Sequence, residues 1–180
     1  SIRPTAPPSP IVSFNSNITL NGLTSTTLST LSQSTITTTT ANIMGIPVSA
    51  VTYIGTITVS PPTIVTPVVA DSSRDITTDA HLRGTETHIH LQAMYSVVAI
   101  TRTQIQLSST TYTSTAALYS SLTSTLTNAV SDGSYTNTMD SLAQTNNDTT
   151  LATASAVYTT STPPQVISST TDSNNDNKLS

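Results

Sequence analysis

Two segments, 24–44 and 113–133, constrain the fold most, because helical spacing of apolar residues is combined in both with a filler of Ser and Thr. The first apolar stripe runs through Leu28, Leu31, Ile36, Ile43 and Met44, and the second through Leu118, Leu122, Leu126, Ala129 and Val130. Gly45 and Gly133 follow where left-handed C-terminal caps belong. Ser and Thr are weak helix formers, so burial of one face must stabilise both predicted helices.

Four segments of β-prone sequence alternate with these helices, at 11–20, 48–60, 87–107 and 151–160. Asn21-Gly22 marks a turn, and 134–149 is a polar connector with at most one helical turn around Met139–Ala143. The order βαββαβ predicts an α+β fold of the ferredoxin-like type, a sandwich of one four-stranded antiparallel sheet with two helices on one face.

The chain divides into three parts. Residues 1–10 hold four prolines and form an extended N-terminal arm, 11–160 form the βαββαβ domain with a long loop at 61–86, and 161–180 form a polar C-terminal tail.

The charge content excludes several classes of function. Charged residues make up 8% of the chain and the net charge is −4, so no basic surface for nucleic acid is present. The chain has no Cys, which removes disulfides, thiolate zinc sites and Cys nucleophiles. No stretch approaches the roughly 18 apolar residues of a membrane span.

Hydroxyl side chains take the place of charge, since Ser and Thr together make up about 38% of the residues, far above the usual share. Sequons for N-glycosylation occur at Asn17 and Asn147, and Ser9 and Thr162 lie in Pro-flanked hydroxyl runs typical of O-glycosylated sequence. Covalent sugars in place of ions would solvate such a surface, which predicts an extracellular or cell-surface location. The alternative is compositional drift in a secreted protein.

The run "ITLNGLTSTTLSTLSQSTITTTTANIMGIPVSAVTYIGTITVS" resembles the repeat domains of secreted cell-surface proteins of algae and related stramenopiles. The matching positions are Leu20, Gly22, Leu23, Gly45, Ile46, Val48, Ser49 and Val51, and the similarity of pattern extends over 18–160. Those domains are similar to SEA-type folds of the same βαββαβ order. The resemblance implies a non-catalytic role at the cell surface or in the extracellular matrix. The self-cleaving Gly-Ser-hydrophobic motif of SEA domains is missing here.

Metal sites have only weak candidates. His88 and His90 are spaced to share one face of a strand, with His81 and Glu86 nearby, but solvated imidazoles explain them better. Asp172, Asn174 and Asp176 mimic half of a calcium loop that lacks its Gly and its bidentate Glu, so a polar tail is the better interpretation. No cofactor is expected. The sequence contains no motif that supports an enzyme.

These features predict a structural subunit of a glycosylated extracellular filament, a homopolymer that assembles head to tail by exchange of a terminal arm or strand. Ile11, Val12 and Phe14 are expected to dock on the next copy, because they follow the extended arm and are β-prone. A metal-dependent enzyme that uses the His cluster is a distant alternative, and two nearer ones stay open. Both arms can fold back on their own domain, and the chain can be a monomeric adhesion module on a mucin-like glycoprotein.

Overall fold

One antiparallel sheet and three helices form the α+β structure in the computed structural model, which describes residues 9–64 and 93–168. The strands are β1 (Ile11–Leu23), β2 (Val51–Ile64), β3 (Ala93–Gln106), β4 (Ser155–Ser161) and β5 (Gln165–Ile167). The helices are α1 (Thr30–Met44), α2 (Thr115–Ser131) and α3 (Ser134–Asn146).

The strands lie in the order β2-β3-β1-β4, and β5 pairs with the beginning of β1 beside β4. Every neighbouring pair is antiparallel. It follows that β1 and β2, which α1 connects, run in the same direction on either side of β3. Likewise β3 and β4, connected through α2 and α3, run in the same direction on either side of β1.

The two faces of the sheet differ because side chains alternate along each strand. On β1, Val12, Phe14, Ser16, Ile18 and Leu20 are all buried, in the core that the helices cover. The opposite face, here called the open face, carries the polar side chains of β1 (Asn15, Asn17, Thr19 and Asn21). On β3, the buried side chains are Val97, Ala99, Thr101, Thr103 and Ile105, while Val98 and Ile100 are half-buried on the open face, as in a two-sided central strand.

The helices form a layer in which each contacts the other two. Leu122 and Leu126 of α2 are buried, as the helical stripe predicts. The hydroxyl of Tyr135 on α3 lies 3.0 Å from that of Thr40 on α1, and the Thr40 hydroxyl also donates to the carbonyl of Ile36. Burial removes the Tyr135 hydroxyl from water and raises its pKa well above the usual range, and the Thr40 hydrogen bond only partly opposes this.

Three details of the predicted elements were wrong. The polar connector at 134–149 contains a full helix, α3, whose Tyr135, Met139 and Ala143 are buried at four-residue spacing. Helix α1 begins at Thr30, because the Ser29 side chain accepts a hydrogen bond from the Ser32 amide and caps it. Leu31, the second residue of that helix, is 40% exposed and is not part of the buried stripe.

Gly22 lies inside β1, where the sequence predicts a turn. The register against β3 shifts between Asn21 and Leu23, so this glycine is part of a β-bulge. Its φ is +81°, and a Cβ atom there would lie 2.7 Å from the carbonyl oxygen of Thr153. Any other residue would therefore be both strained and in collision with the loop before β4.

We predict that Leu126→Ala lowers the free energy of unfolding by about 2–5 kcal/mol, because it leaves a cavity in a fully buried position. The matched control is Leu31→Ala, at an exposed position of α1, where a change within about 0.5 kcal/mol is expected. Denaturant unfolding measures both. Equal effects of the two substitutions would contradict the packing described above.

We also predict that Thr103→Val stabilises the protein by about 1 kcal/mol or more. The Thr103 hydroxyl is buried and has no hydrogen-bond partner among the described residues, and such a group costs about 1–3 kcal/mol. The control is Thr39→Val, since the equally buried Thr39 hydroxyl donates to the carbonyl of Thr35 at 2.8 Å. Thr39→Val should give no gain, and a gain there equal to that at Thr103 would refute the explanation.

Candidate functional site

The two edges of the sheet are the most distinctive surface of the described residues. One edge is β2, and the other is formed by β4 and β5 in line. Neither edge contains a charged residue. Seven of the ten exposed large apolar side chains in the described residues lie on these edges: Ile54, Ile57 and Val59 on β2, Val157 and Tyr158 on β4, and Val166 and Ile167 on β5.

The β2 edge is long and irregular. Its register against β3 shifts between Tyr53 and Gly55 and twice more beyond Thr58. As a result Val51 and Tyr53 lie on the helix-covered face, whereas Ile57 pairs with Val98 on the open face and is 57% exposed. Bulges of this kind are one way in which an edge resists pairing, and Pro61 and Pro62 near the end of β2 are another, but the strand has no lysine or other charge.

The other edge is held together by a short connector between β4 and β5. Thr162 extends the ladder, because its amide donates to the carbonyl of Asn15 and its Oγ1 accepts from the Asn15 amide at 2.9 Å. The Tyr119 hydroxyl on α2 donates to the carbonyl of Thr162 at 2.9 Å. The Tyr119 ring meets Phe14 edge to face at a centroid distance of 5.2 Å, which ties the connector to the core.

The structure places Ile11, Val12 and Phe14 in the sheet of their own chain. They belong to β1 and pair with Gln106, Ile105 and Thr103 of β3, and the side chains of Val12 and Phe14 are buried. Their apolar, β-branched sequence is explained by burial in this domain. In the single chain, therefore, the arm from Ser9 onward folds back on its own domain, as one of the two nearer alternatives expected.

The four predicted glycosylation sites have different surroundings. Asn17 is half-buried in the middle of the open face, between Ile100 of β3 and Thr160 of β4. Asn147 is exposed at the end of α3, in the left-handed conformation. The hydroxyls of Ser9 and Thr162 each accept a backbone hydrogen bond, Ser9 from the Ser108 amide at 2.9 Å. A sugar on either hydroxyl would crowd that contact.

The weak metal candidates lie outside the described residues. These are His81, Glu86, His88 and His90 before β3, and Asp172, Asn174 and Asp176 in the tail. Residues 1–8 of the arm and most of the 61–86 loop also lie outside. Within 9–64 and 93–168, no group of three His, Cys, Asp or Glu side chains is placed to hold a metal ion.

Charge is sparse within the described ranges, which hold one cation, Arg102, and three carboxylates. The side-chain hydroxyl and backbone amide of Ser134 donate to Asp132 and lower the pKa of that carboxyl. Burial raises the pKa of Asp140. Asp148 is buried and accepts from the amides of Thr150 and Leu151, so it orders the turn after α3.

No known protein family, curated protein or solved structure matches the chain. The similarity to algal cell-surface repeats therefore rests on the sequence pattern alone. None of the helices in 9–64 and 93–168 has the length and apolar character needed to cross a bilayer.

Sequence reasoning did not identify the edge residues as a set. Val157, Tyr158, Val166 and Ile167 lie in segments interpreted as a last strand and a polar tail, and only the pairing with β1 shows that they form one edge. A usable signal was present in the uncharged, β-branched segments at 51–60 and 155–161, since an edge strand is normally guarded by charge, and here only the prolines that follow each segment act as guards.

We predict that native material has an intact mass above the 18.8 kDa of the bare chain and that Asn17 carries sugar. Asn17 is the better of the two N-linked candidates, because a glycan there would cover a face that none of the three described helices covers. In a glycosylating host, Asn17→Gln should lower the mass by one glycan. The control Asn15→Gln, on the same face but outside a sequon, should change nothing beyond the substitution itself. Native mass equal to that of the bare chain would contradict the prediction.

Proposed function

We propose that this protein is a structural subunit of a glycosylated extracellular filament, a homopolymer in which the β2 edge of one copy pairs with the β4–β5 edge of the next. The observation that carries the proposal is the pair of uncharged edges that bear most of the exposed apolar side chains. An open edge presents unpaired backbone donors and acceptors, and its burial against another strand satisfies them.

Strand direction supports a head-to-tail arrangement. Along β2-β3-β1-β4 the strands alternate in direction, so β2 and β4 of one copy run antiparallel to each other. A second copy placed beside the first in the same orientation brings its β4 antiparallel to the first copy's β2. The alternation continues through every added copy. A contact between two different surfaces that does not close on itself generates a helical fibre, and the twist of the sheet supplies the rotation.

The lengths of the edges support the same pairing. Before its two prolines, β2 offers an edge from Val51 to Ser60, and before Pro163 and Pro164 the other edge offers Ser155 to Thr162. Apolar side chains are present along both edges, with Ile57 and Tyr158 the most exposed of them at 57% and 62%. Paired edges would bury these side chains across the interface as cross-strand neighbours.

Two further observations support the assignment to a surface structure. The strand order, with each helical connection spanning one intervening strand, supports a ferredoxin-like plan with one extra helix and one extra strand. This plan agrees with the resemblance to SEA-like algal cell-surface repeats. The open face, which no helix within 9–64 and 93–168 covers, and the exposed Asn147 agree with glycans as the main solvating groups.

The proposed role requires no catalysis, cofactor or metal, and its partners are copies of itself and covalent sugars. Terminal-arm exchange is a separate connection in which residues 1–8 or 169–180 would reach the next copy. The two modes are distinguished by deleting residues 1–8, which leaves β1 intact. Edge pairing predicts that filaments of the same geometry still form, whereas exchange of the N-terminal arm predicts their loss.

We predict that Ile57→Lys and Tyr158→Lys each abolish filaments seen by electron microscopy, because a lysine on an edge places an unpaired charge in the interface. In size-exclusion chromatography the wild-type chain elutes as a large assembly and each variant as a single chain. The control Leu31→Lys adds the same charge at an exposed apolar position of α1, and filaments should persist.

Mixing the two variants gives the sharpest test. Each retains one intact edge, β4–β5 in Ile57→Lys and β2 in Tyr158→Lys, so an equimolar mixture should form a capped dimer that neither variant forms alone. Persistence of filaments in both variants would refute edge pairing. Wild-type protein that elutes as a single chain would favour the alternative of a monomeric adhesion module.

A further inference from the structure

A depression on the open face contains the single cation of the described residues. It has a volume of about 570 Å³ and lies between the central strands β1 and β3 and the connector that joins β4 to β5. Arg102 and Gln104 of β3 and Asn15 of β1 contribute its polar floor. Gln165 and the connector residues Pro163 and Pro164 form its wall.

The Arg102 side chain can donate hydrogen bonds to a ligand. It is exposed, and its Nε donates a long hydrogen bond of 3.4 Å to Oδ1 of Asn15. Within the described residues it makes no other hydrogen bond and no ion pair with a carboxylate. A guanidinium carries five N–H donors in a planar fork that matches a carboxylate through two parallel hydrogen bonds.

The rest of the depression is suited to a hydroxyl-rich ring. Side-chain amides both donate and accept, and three of them line this depression, on Asn15, Gln104 and Gln165. Pro163, Pro164 and Ile167 add apolar surface on which the carbon-bound face of a ring can pack. A pocket of this composition fixes the orientation of its ligand through a few polar groups, and its apolar groups add contact area.

We propose that this depression binds an acidic saccharide through one uronic-acid unit, with the sugar carboxylate on Arg102 and the ring hydroxyls on the three amides. The inference concerns the single chain and holds whether or not copies assemble into filaments.

The backbone around the depression favours a saccharide over an acidic peptide. Ser13 pairs with Gln104 and Asn15 with Arg102, so the floor strands bond to each other. On its other side, Asn15 bonds through its amide and carbonyl to Thr162. An extended peptide would therefore find no unpaired strand backbone on the floor and would be held by side chains alone. A pyranose needs no backbone ladder, because its hydroxyls can reach the amides directly.

Two sources can supply the sugar. Asn17 is two residues from Asn15 on the same face of β1, about 7 Å along the strand, so a glycan attached there would reach the depression. A separate acidic polysaccharide of the surroundings is the other source. Protein made without glycans and native protein before and after deglycosylation distinguish the two sources. Binding that appears in native protein only after deglycosylation identifies the chain's own glycan as the occupant.

The test is calorimetric titration of the unglycosylated full chain with tetragalacturonate, with its fully methyl-esterified form as the neutral counterpart. Saturable binding is expected for the acid, with at least tenfold weaker binding of the ester and with weaker binding in higher salt. Arg102→Gln should weaken binding of the acid about tenfold or more and leave the weak ester binding unchanged, because it removes the charge. Arg102→Lys keeps the charge but loses the planar fork, so its affinity for the acid should lie between those of the wild type and Arg102→Gln.

A matched pair of glutamines controls for position. Gln104 lines the depression and Gln106 does not, although both are exposed on the same strand. Gln104→Ala should weaken binding and Gln106→Ala should not, with thermal unfolding confirming that each variant is folded. No saturable binding, equal affinity of the Arg102→Gln variant, or tighter binding of a hexaglutamate peptide than of tetragalacturonate would each overturn the proposal.

Discussion

The pairing of β1 with its neighbours is the interaction on which the rest of the structure depends. This strand bonds to β3 along almost its whole length and to β4 and β5 on its other side. Its helix-facing side chains are buried in the core, and its polar side chains line the open face. Strand β1 also takes part in both helical connections. The first, through α1, starts at β1, and the second, through α2 and α3, joins β3 and β4 on either side of β1. The same strand thus positions the core, the sequon at Asn17 and the floor of the Arg102 depression.

Local patterns predicted most of this fold because the burial of its strands and of two helices is periodic. The stripe of Leu118, Leu122 and Leu126 has the helical period, and the β-prone segments at 11–20 and 151–160 correspond to β1 and β4. Helix α3 was missed because it has only three buried side chains and because its N-cap, Gly133, has no side chain to cap it. Strand β5 was missed because three residues carry no periodicity, and only tertiary pairing defines it. The Arg102 depression joins positions far apart in sequence, so no local pattern reports it.

Many of the Thr hydroxyl groups in these helices find their acceptors inside the helix. Thr39, Thr40, Thr123, Thr138 and Thr145 each donate to the carbonyl one turn earlier in their own helix. Their donors are therefore satisfied inside the helix, and tertiary contacts outweigh their weak intrinsic preference. An extended strand has no carbonyl one turn earlier for a Thr hydroxyl to reach, and the buried hydroxyls of Thr101 and Thr103 on β3 have no partner among the described residues. The buried Thr35 hydroxyl on α1 is without a partner there as well.

The scarcity of charge has a consequence for the conditions under which the fold persists. Hydrogen bonds from Ser134 lower the pKa of Asp132, burial raises the pKa of Asp140, and burial moves the pKa of Tyr135 further into the alkaline range. Asp132, whose pKa is lowered, stabilises the fold above its unfolded pKa and loses that contribution in acid, and Asp140 acts in the opposite sense. Tyr135 lowers stability only as the pH rises above about 10. Between the acidic range in which its carboxyls titrate and about pH 10, in fresh or saline water alike, this part of the chain has few charge interactions that a change of pH or salt could weaken.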